Sequence, residues 1–132
     1  MKTLRGIAMA LLGFLGITSI IGAVPMIVDP SGQLLRMPLS LLQHSPFHTF
    51  LIPGIILLLA NGLLSLVVLY ATARRWPFYA WGVALQGCIL TGWIVVEVIL
   101  LRMAMWAHYV YGALGLALIV LGLELARKDH TA

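Results

Sequence analysis

The chain has 132 residues, of which 62% are hydrophobic and 9% are charged, and its formal net charge is +4. Soluble domains carry about 25% charged residues, so this composition excludes a soluble globular protein and requires a surface that faces lipid. The positive charge does not indicate nucleic-acid binding, because the basic residues stand at the ends of apolar runs, where membrane topology signals occur. The single cysteine, Cys88, excludes an internal disulfide and a two-thiol redox motif.

Two apolar runs in the first half of the chain each reach the roughly 20 residues that a helix needs to cross a bilayer. The first is predicted at 6–28, and it exceeds the apolar core of a signal peptide, so we expect a retained helix. An Asp-Pro-Ser-Gly turn at 29–32 ends it. The second helix is predicted at 46–72, with Ser45 as its N-cap and Pro46 in its first turn.

Two further apolar runs follow in the second half of the chain. A tight basic turn at 74–76 separates the second helix from the third, which is predicted at 77–101 and starts at a proline. The fourth helix is predicted at 106–126 and precedes a polar tail. The sequence therefore predicts an all-α membrane protein, a single domain over 1–132 with four transmembrane helices in an antiparallel bundle.

Lysine and arginine residues are distributed unequally between the two ends of this predicted bundle. The positive-inside rule places the richer end, and with it both termini, in the cytoplasm. The richer end carries Lys2, Arg5, Arg74, Arg75, Arg127 and Lys128, and the outer end carries Arg36 and Arg102.

The long connection on the outer side, at about 33–45, is amphipathic. Leucines recur along it, and Pro38 is suited to begin a short helix. We expect this segment to lie in the headgroup region or to fold over the outer end of the bundle.

The third helix has two distinct faces. Small residues recur every four positions on one face, which is typical of close helix contacts in membranes. This face is predicted to pack within the bundle or between two copies in a homo-oligomer, and it consists of Ala80, Ala84, Cys88 and Gly92. The roughly opposite face carries Gln86, Leu90, Trp93 and Glu97.

Glu97 is the residue that most suggests a site, because a charge within a spanning helix costs roughly 3 kcal/mol at the bilayer centre and less towards the interface. Two interpretations stay open: a carboxylate that couples to a proton or a ligand, and a hydrogen-bonded carboxyl that fixes helix packing. Pro53 is expected at a similar depth, as are His108 and Tyr111 at the start of the fourth helix. Pro53 is also expected to interrupt the second helix and to free the carbonyl of Thr49. The predicted ligand-binding residues are Glu97, His108, Tyr111, Trp93, Thr49, Pro53, Asn61 and Gln86.

Metal or haem binding is a weaker alternative, and no cofactor is predicted. Met103, Met105 and His108 offer the soft donors that suit Cu(I), but their spacing is not a specific metal signature. A haem held between His48 and His108 is the other metal-containing alternative. Methionines also fill gaps in apolar cores, which is the plainer interpretation of this cluster.

Two sequence patterns carry a resemblance. They are Ser45-Pro46-Phe47-x-x-Phe50-Leu51-Ile52-Pro53-Gly54 and Trp93-Ile94-x-x-Glu97. Over about 13–122 the chain resembles a group of small bacterial four-helix integral membrane proteins for which no activity is known. The resemblance implies the same topology, in a bacterial inner membrane, and places Glu97 at the acidic position of the group.

Three functional hypotheses follow. The first is a non-enzymatic binding or accessory protein that holds a lipid-like or small apolar ligand in the outer half of the bundle. The second is an oligomeric, proton-linked transporter that uses Glu97. The third, a membrane enzyme with Glu97 and His108 as an acid–base pair, ranks last because no nucleophile or metal signature accompanies it. Membrane lipids are the expected partners.

Overall fold

Four long helices make up almost all of the described part of the protein, as the sequence predicts. The computed structural model describes residues 2–32, 49–101 and 106–129. We label the helices α1 (Lys2–Val28), α2 (Leu51–Ala73), α3 (Tyr79–Leu101) and α4 (Trp106–Asp129). Each contains a stretch that is long and apolar enough to span a membrane. The protein is therefore a multi-pass helical membrane protein.

The helices form an antiparallel bundle in which neighbours in sequence are neighbours in space. The most extensive contacts join α3 to α4 and α1 to α2, and smaller contacts join α2 to α3 and α1 to α4. We call the end that carries Arg5, Arg74, Arg75, Arg127 and Lys128 the basic end. The opposite end, where α3 stops and α4 starts, is the Glu97 end.

The contact between α3 and α4 is a backbone contact. A Cβ atom added at Gly87 would lie 2.6 Å from both the carbonyl oxygen of Gly115 and the amide nitrogen of Ile119. Glycine is needed here because only a residue without a side chain permits such an approach. Because the helices are antiparallel, successive facing pairs lie further along α3 and earlier on α4. The pairs are Ala84 with Gly122, Gly87 with Ile119, Thr91 with Gly115, and Ile94 with Gly112.

A series of buried and half-buried positions on α3 and α4 follows alternating steps of three and four residues. This heptad spacing is typical of bundles with a shallow left-handed crossing. We call these positions the α3–α4 seam; they are Ala80, Val83, Gly87, Leu90, Ile94 and Glu97 on α3, and His108, Tyr111, Gly115, Leu118, Gly122 and Leu125 on α4.

Helix α2 contains a π-helical segment, Leu57–Leu63, between two α-helical parts, Leu51–Ile56 and Leu64–Ala73. On its basic side Gly62 faces Ile20, whereas on its other side Gly54 faces Met26. Eight residues of α2 thus cover the same stretch of the interface as six residues of α1. The π segment takes up the difference, because its wider turns contain more residues than α-helical turns.

The turns that join the helices have well-defined geometry. Gly32 adopts a φ of 83° and donates its amide to the Asp29 carbonyl, which confirms the predicted turn after α1. At the end of α2, Arg75 is left-handed with a φ of 51°, Trp76 donates to Ala71, and Arg75 donates to Thr72. These two bonds form a Schellman motif, which satisfies the last carbonyls of the helix.

The start of the second helix differs from the prediction. Thr49 and Phe50 are not helical, and the helix begins at Leu51 rather than at 46. The amide of Phe50 donates to the carbonyl of Pro30, so these residues belong to the connection with α1. The expectation that Pro53 interrupts the helix is wrong, because Pro53 lies in the first turn, where a missing amide proton breaks no helical hydrogen bond.

We expect Gly87→Ala to destabilise the protein by about 1–3 kcal/mol, because the added methyl group meets backbone atoms that cannot move aside. The matched control is Gly92→Ala on the same helix, where nothing lies within 4 Å of an added Cβ. That variant should be unchanged, or stabilised by up to about 1 kcal/mol through helix propensity. Unfolding by detergent titration in mixed micelles measures both, and equal losses in the two variants would contradict the backbone contact.

Candidate functional site

Glu97 and His108 meet at the Glu97 end of the α3–α4 seam. His108 Nε2 lies 3.2 Å from Glu97 Oε2, within hydrogen-bonding distance. When the imidazole carries a proton on Nε2 it donates to the carboxylate, and when both nitrogens are protonated the contact is an ion pair. The sequence predicted that these two residues lie at the same depth, and the structure brings them together.

The heptad register explains why these side chains meet. Glu97 is the last described seam position of α3 and His108 is the first of α4, so each points towards the opposite helix. The helix backbones touch at Gly87 and Gly115, whereas at the Glu97 end two long side chains span the space between them. An added Cβ at Gly112 would have only the Ile94 side chain near it, at 4.0 Å, so the seam is wider here.

The two partners differ in their access to the surroundings. The His108 side chain is 6% exposed, whereas the Glu97 side chain is 30% exposed. Trp93, one turn before Glu97, is half-buried. The bond to His108 uses one carboxylate oxygen, and Oε1 can accept a further hydrogen bond. A partly open carboxylate held by a buried imidazole is able to bind a hydrogen-bond donor or a cation.

Tyr111 lies on the α3–α4 seam, but its hydrogen bond is made across a different contact, between α4 and α1. Its hydroxyl donates to Thr18 Oγ1 at 2.8 Å, and that hydroxyl donates to the carbonyl of Phe14 at 2.7 Å. The Phe14 and Tyr111 rings stack with centroids 6.0 Å apart. This group joins the hairpin formed by α1 and α2 to the hairpin formed by α3 and α4. Sequence reasoning missed Thr18 and Phe14, although their spacing of four residues on α1 was a usable signal.

Asn61 and Gln86 form a third group, between α2 and α3. Both side chains are fully buried. Gln86 Nε2 donates to the carbonyl of Ala60 at 3.0 Å and, at the outer limit of 3.5 Å, to Asn61 Oδ1. Ser65, one turn further along α2, is also fully buried. Eleven residues, or about 16 Å of helix, separate Gln86 from Glu97, so this group is not part of the Glu97 site.

Thr49 and Pro53 lie at the start of α2. Thr49 is exposed and its hydroxyl accepts a weak hydrogen bond from the amide of Leu51, at 3.4 Å. Pro53 is buried, and its neighbour Gly54 packs against Met26 of α1. The hydrogen bond of Thr49 is therefore local to the start of α2.

Several predicted features lie outside the described residues. They include the amphipathic segment at 33–45 and three of the four metal-ligand candidates, His48, Met103 and Met105. The copper and haem alternatives therefore stay predictions.

The small-residue face of α3 is divided in the structure. Ala80 and Ala84 are buried inside the bundle, and Ala84 faces Gly122. Cys88 and Gly92 are exposed. Half of this face is therefore used within the chain, and a contact between copies through Cys88 and Gly92 stays a prediction.

Glu124 lies at the basic end, far along α4 from His108. Arg127 donates to its carboxylate at 2.7 Å, in an exposed pair three residues apart. Glu124 and Glu97 are the two glutamates of the chain, and they occupy opposite ends of the bundle.

Comparisons of the chain with protein-family models, with curated proteins and with solved structures find no match. The fold and the three polar groups therefore define its class, a four-helix membrane protein with a carboxylate–imidazole pair at one end of the bundle.

A double-mutant cycle with Glu97→Ala and His108→Ala should give a coupling free energy of about 0.5–2 kcal/mol, the range found for hydrogen bonds inside membrane proteins. Unfolding in mixed micelles measures it. The control cycle combines His108→Ala with Glu124→Ala, which lie at opposite ends of α4 and should be additive. Additivity of the Glu97 and His108 variants would show that their contact contributes nothing to stability.

Proposed function

We propose that the protein is a membrane-embedded binding protein without catalytic activity, whose site is the Glu97–His108 pair. Its ligand is lipid-like, with an apolar body and a polar head that carries an ammonium group. The observation that supports this most is the partial exposure of Glu97 beside a buried histidine. A carboxylate placed only to fix helix packing would be expected to be closed off from its surroundings.

An ammonium head fits the chemistry of the pair and of its surroundings. A charged hydrogen bond to the carboxylate is stronger than a neutral one. Trp106 and Tyr109, on the first turn of α4, are 77% and 72% exposed. Such aromatic side chains occupy the headgroup level of a bilayer and attract cations to their ring faces. An acyl chain would lie along the exposed apolar side chains of α3, among them Val96 and Ile99.

A binding role is better supported than proton-linked transport. Leu90, only 1% exposed, lies on the seam between the level of Gln86 and the level of Glu97. Ile94 occupies the next seam position towards Glu97. These two apolar side chains separate the polar groups, so a continuous polar path through a single copy of the chain lacks support.

Native mass spectrometry of protein released from bilayers that contain phosphatidylethanolamine and phosphatidylglycerol tests the proposal. We expect wild type to retain phosphatidylethanolamine selectively. Hydrogen bonds to charged groups contribute about 1.5–3 kcal/mol, so Glu97→Gln should lower the retained amount about tenfold or more. Glu124→Gln, the same chemical change at the basic end, should leave retention unchanged.

Equal loss in the two glutamine variants, or no lipid selectivity in wild type, would reject the binding site. Proton flux in proteoliposomes that disappears in Glu97→Gln would favour transport instead.

We further propose that the protein lies in a bacterial inner membrane with its basic end in the cytoplasm. The support is the concentration of arginine and lysine at that end, following the positive-inside rule. A green fluorescent protein fused after the C-terminus should be fluorescent in a bacterial host, and an alkaline phosphatase fused there should be inactive. The reverse pair of results would invert the orientation.

A further inference from the structure

The polar group between α2 and α3 contains buried atoms whose hydrogen bonding is incomplete. Asn61, Ser65 and Gln86 each have a solvent exposure of 0%. Three of their polar atoms, Asn61 Nδ2, Ser65 Oγ and Gln86 Oε1, have no hydrogen-bond partner among the residues that the structure describes. An unpaired polar atom away from water is costly, and inside a membrane no solvent is available to relieve it.

The identity of the unpaired amide atoms is fixed by the bonds that are made. Gln86 must present its NH2 group to the Ala60 carbonyl, because that oxygen can only accept. Its own carbonyl oxygen, Oε1, is therefore the free atom. Asn61 Oδ1 accepts from the same NH2 group, which leaves the Asn61 Nδ2 hydrogens free to donate.

The third atom belongs to the same interface. Asn61, Ser65 and Val68 follow one another at steps of four and three along the buried side of α2. Asn61 contacts Gln86 of α3, and Val68 lies 3.6 Å from the position of an added Cβ at Gly82 of α3. Ser65 lies between these two levels on the same buried side of α2.

The unpaired set consists of one donor, one acceptor and one hydroxyl that can serve as either. A buried water molecule typically makes about three hydrogen bonds to such groups. It would accept from Asn61 Nδ2, donate to Gln86 Oε1, and complete its bonding with Ser65 Oγ. A metal cation fits poorly, because the N–H groups of Asn61 present positive charge to it.

We propose that Asn61, Ser65 and Gln86 bind one ordered water molecule near the middle of the bundle, beside the π segment of α2. The π segment contributes directly, since Ala60, whose carbonyl holds Gln86, and Asn61 both lie within Leu57–Leu63. π-Helical turns are often found at functional sites. This site is separate from the Glu97–His108 pair, and the proposal does not depend on the function of that pair.

The sequence offers an unusually clean probe, because Asn61 is the sole asparagine of the chain. Protein labelled with side-chain 15N-asparagine gives the signals of one NH2 group. In phospholipid bilayers, solid-state NMR measures the transfer of magnetisation from water protons to that group. We expect transfer at short mixing times, although the group lies in a fully buried position of a membrane-spanning helix.

Three variants locate the water. Gln86→Met keeps the side-chain length and removes both polar atoms, so transfer to Asn61 should fall about tenfold. Ser65→Ala removes one hydrogen bond with little change in volume and should lower transfer about threefold or more. Ser19→Ala, at a buried serine of α1, is the matched control and should leave the transfer unchanged.

Several results would overturn the proposal. The first is the absence of water transfer to Asn61 in wild type. The second is transfer that persists unchanged in both Ser65→Ala and Gln86→Met, or that falls equally in Ser19→Ala. The third is a shift of the Asn61 signal when sodium or potassium ions replace a large organic cation in the buffer, which would assign the site to a metal ion.

Discussion

The close contact between the backbones of α3 and α4 is the constraint on which the rest of the structure depends. At Gly87, Gly115 and Gly122 there is no room for a side chain, so the two helices have a single favourable register. In that register the α3–α4 seam continues in heptad steps to the Glu97 end of the bundle. Glu97 therefore meets His108 as a consequence of glycine packing about ten residues away, and a change of register would separate the pair.

The π segment of α2 has a comparable role in the other hairpin. Helices α1 and α2 contact each other through Gly16, Gly54 and Gly62, but they reach these contacts with different numbers of residues. The extra residues accumulate in Leu57–Leu63. The same segment faces α3 with the Ala60 carbonyl and the Asn61 side chain. The π segment thus allows α2 to pack against both α1 and α3, and it provides polar groups to the interface with α3.

Much of the architecture can be predicted from the sequence, because membrane spans are set by the length of apolar runs. The depth argument also pairs Glu97 with His108 successfully. The start of α2 is mispredicted, because Ser45 and Pro46 form a strong local helix-start signal while the bond from Phe50 to Pro30 depends on tertiary structure. The π segment is not predictable from local propensity, since its cause is the mismatch between two helices.

The division of the candidate site into three groups has a similar origin. Sequence spacing places Gln86 and Glu97 on one face of α3, but it does not show which neighbouring helix each side chain meets. Gln86 meets α2, Glu97 meets α4, and Tyr111 reaches Thr18 on α1. The polar face of α3 therefore serves two different interfaces at two depths, and Tyr111 of α4 serves a third.

The contrast between contacts within and between hairpins bears on how the bundle is held together. Within each hairpin, glycines bring the two helices close together at several levels. Between the hairpins, side-chain hydrogen bonds join Gln86 of α3 to Ala60 of α2 and Tyr111 of α4 to Thr18 of α1. Backbone contact at glycines thus holds the two helices of each hairpin together, whereas hydrogen bonds from polar side chains fix the position of one hairpin on the other.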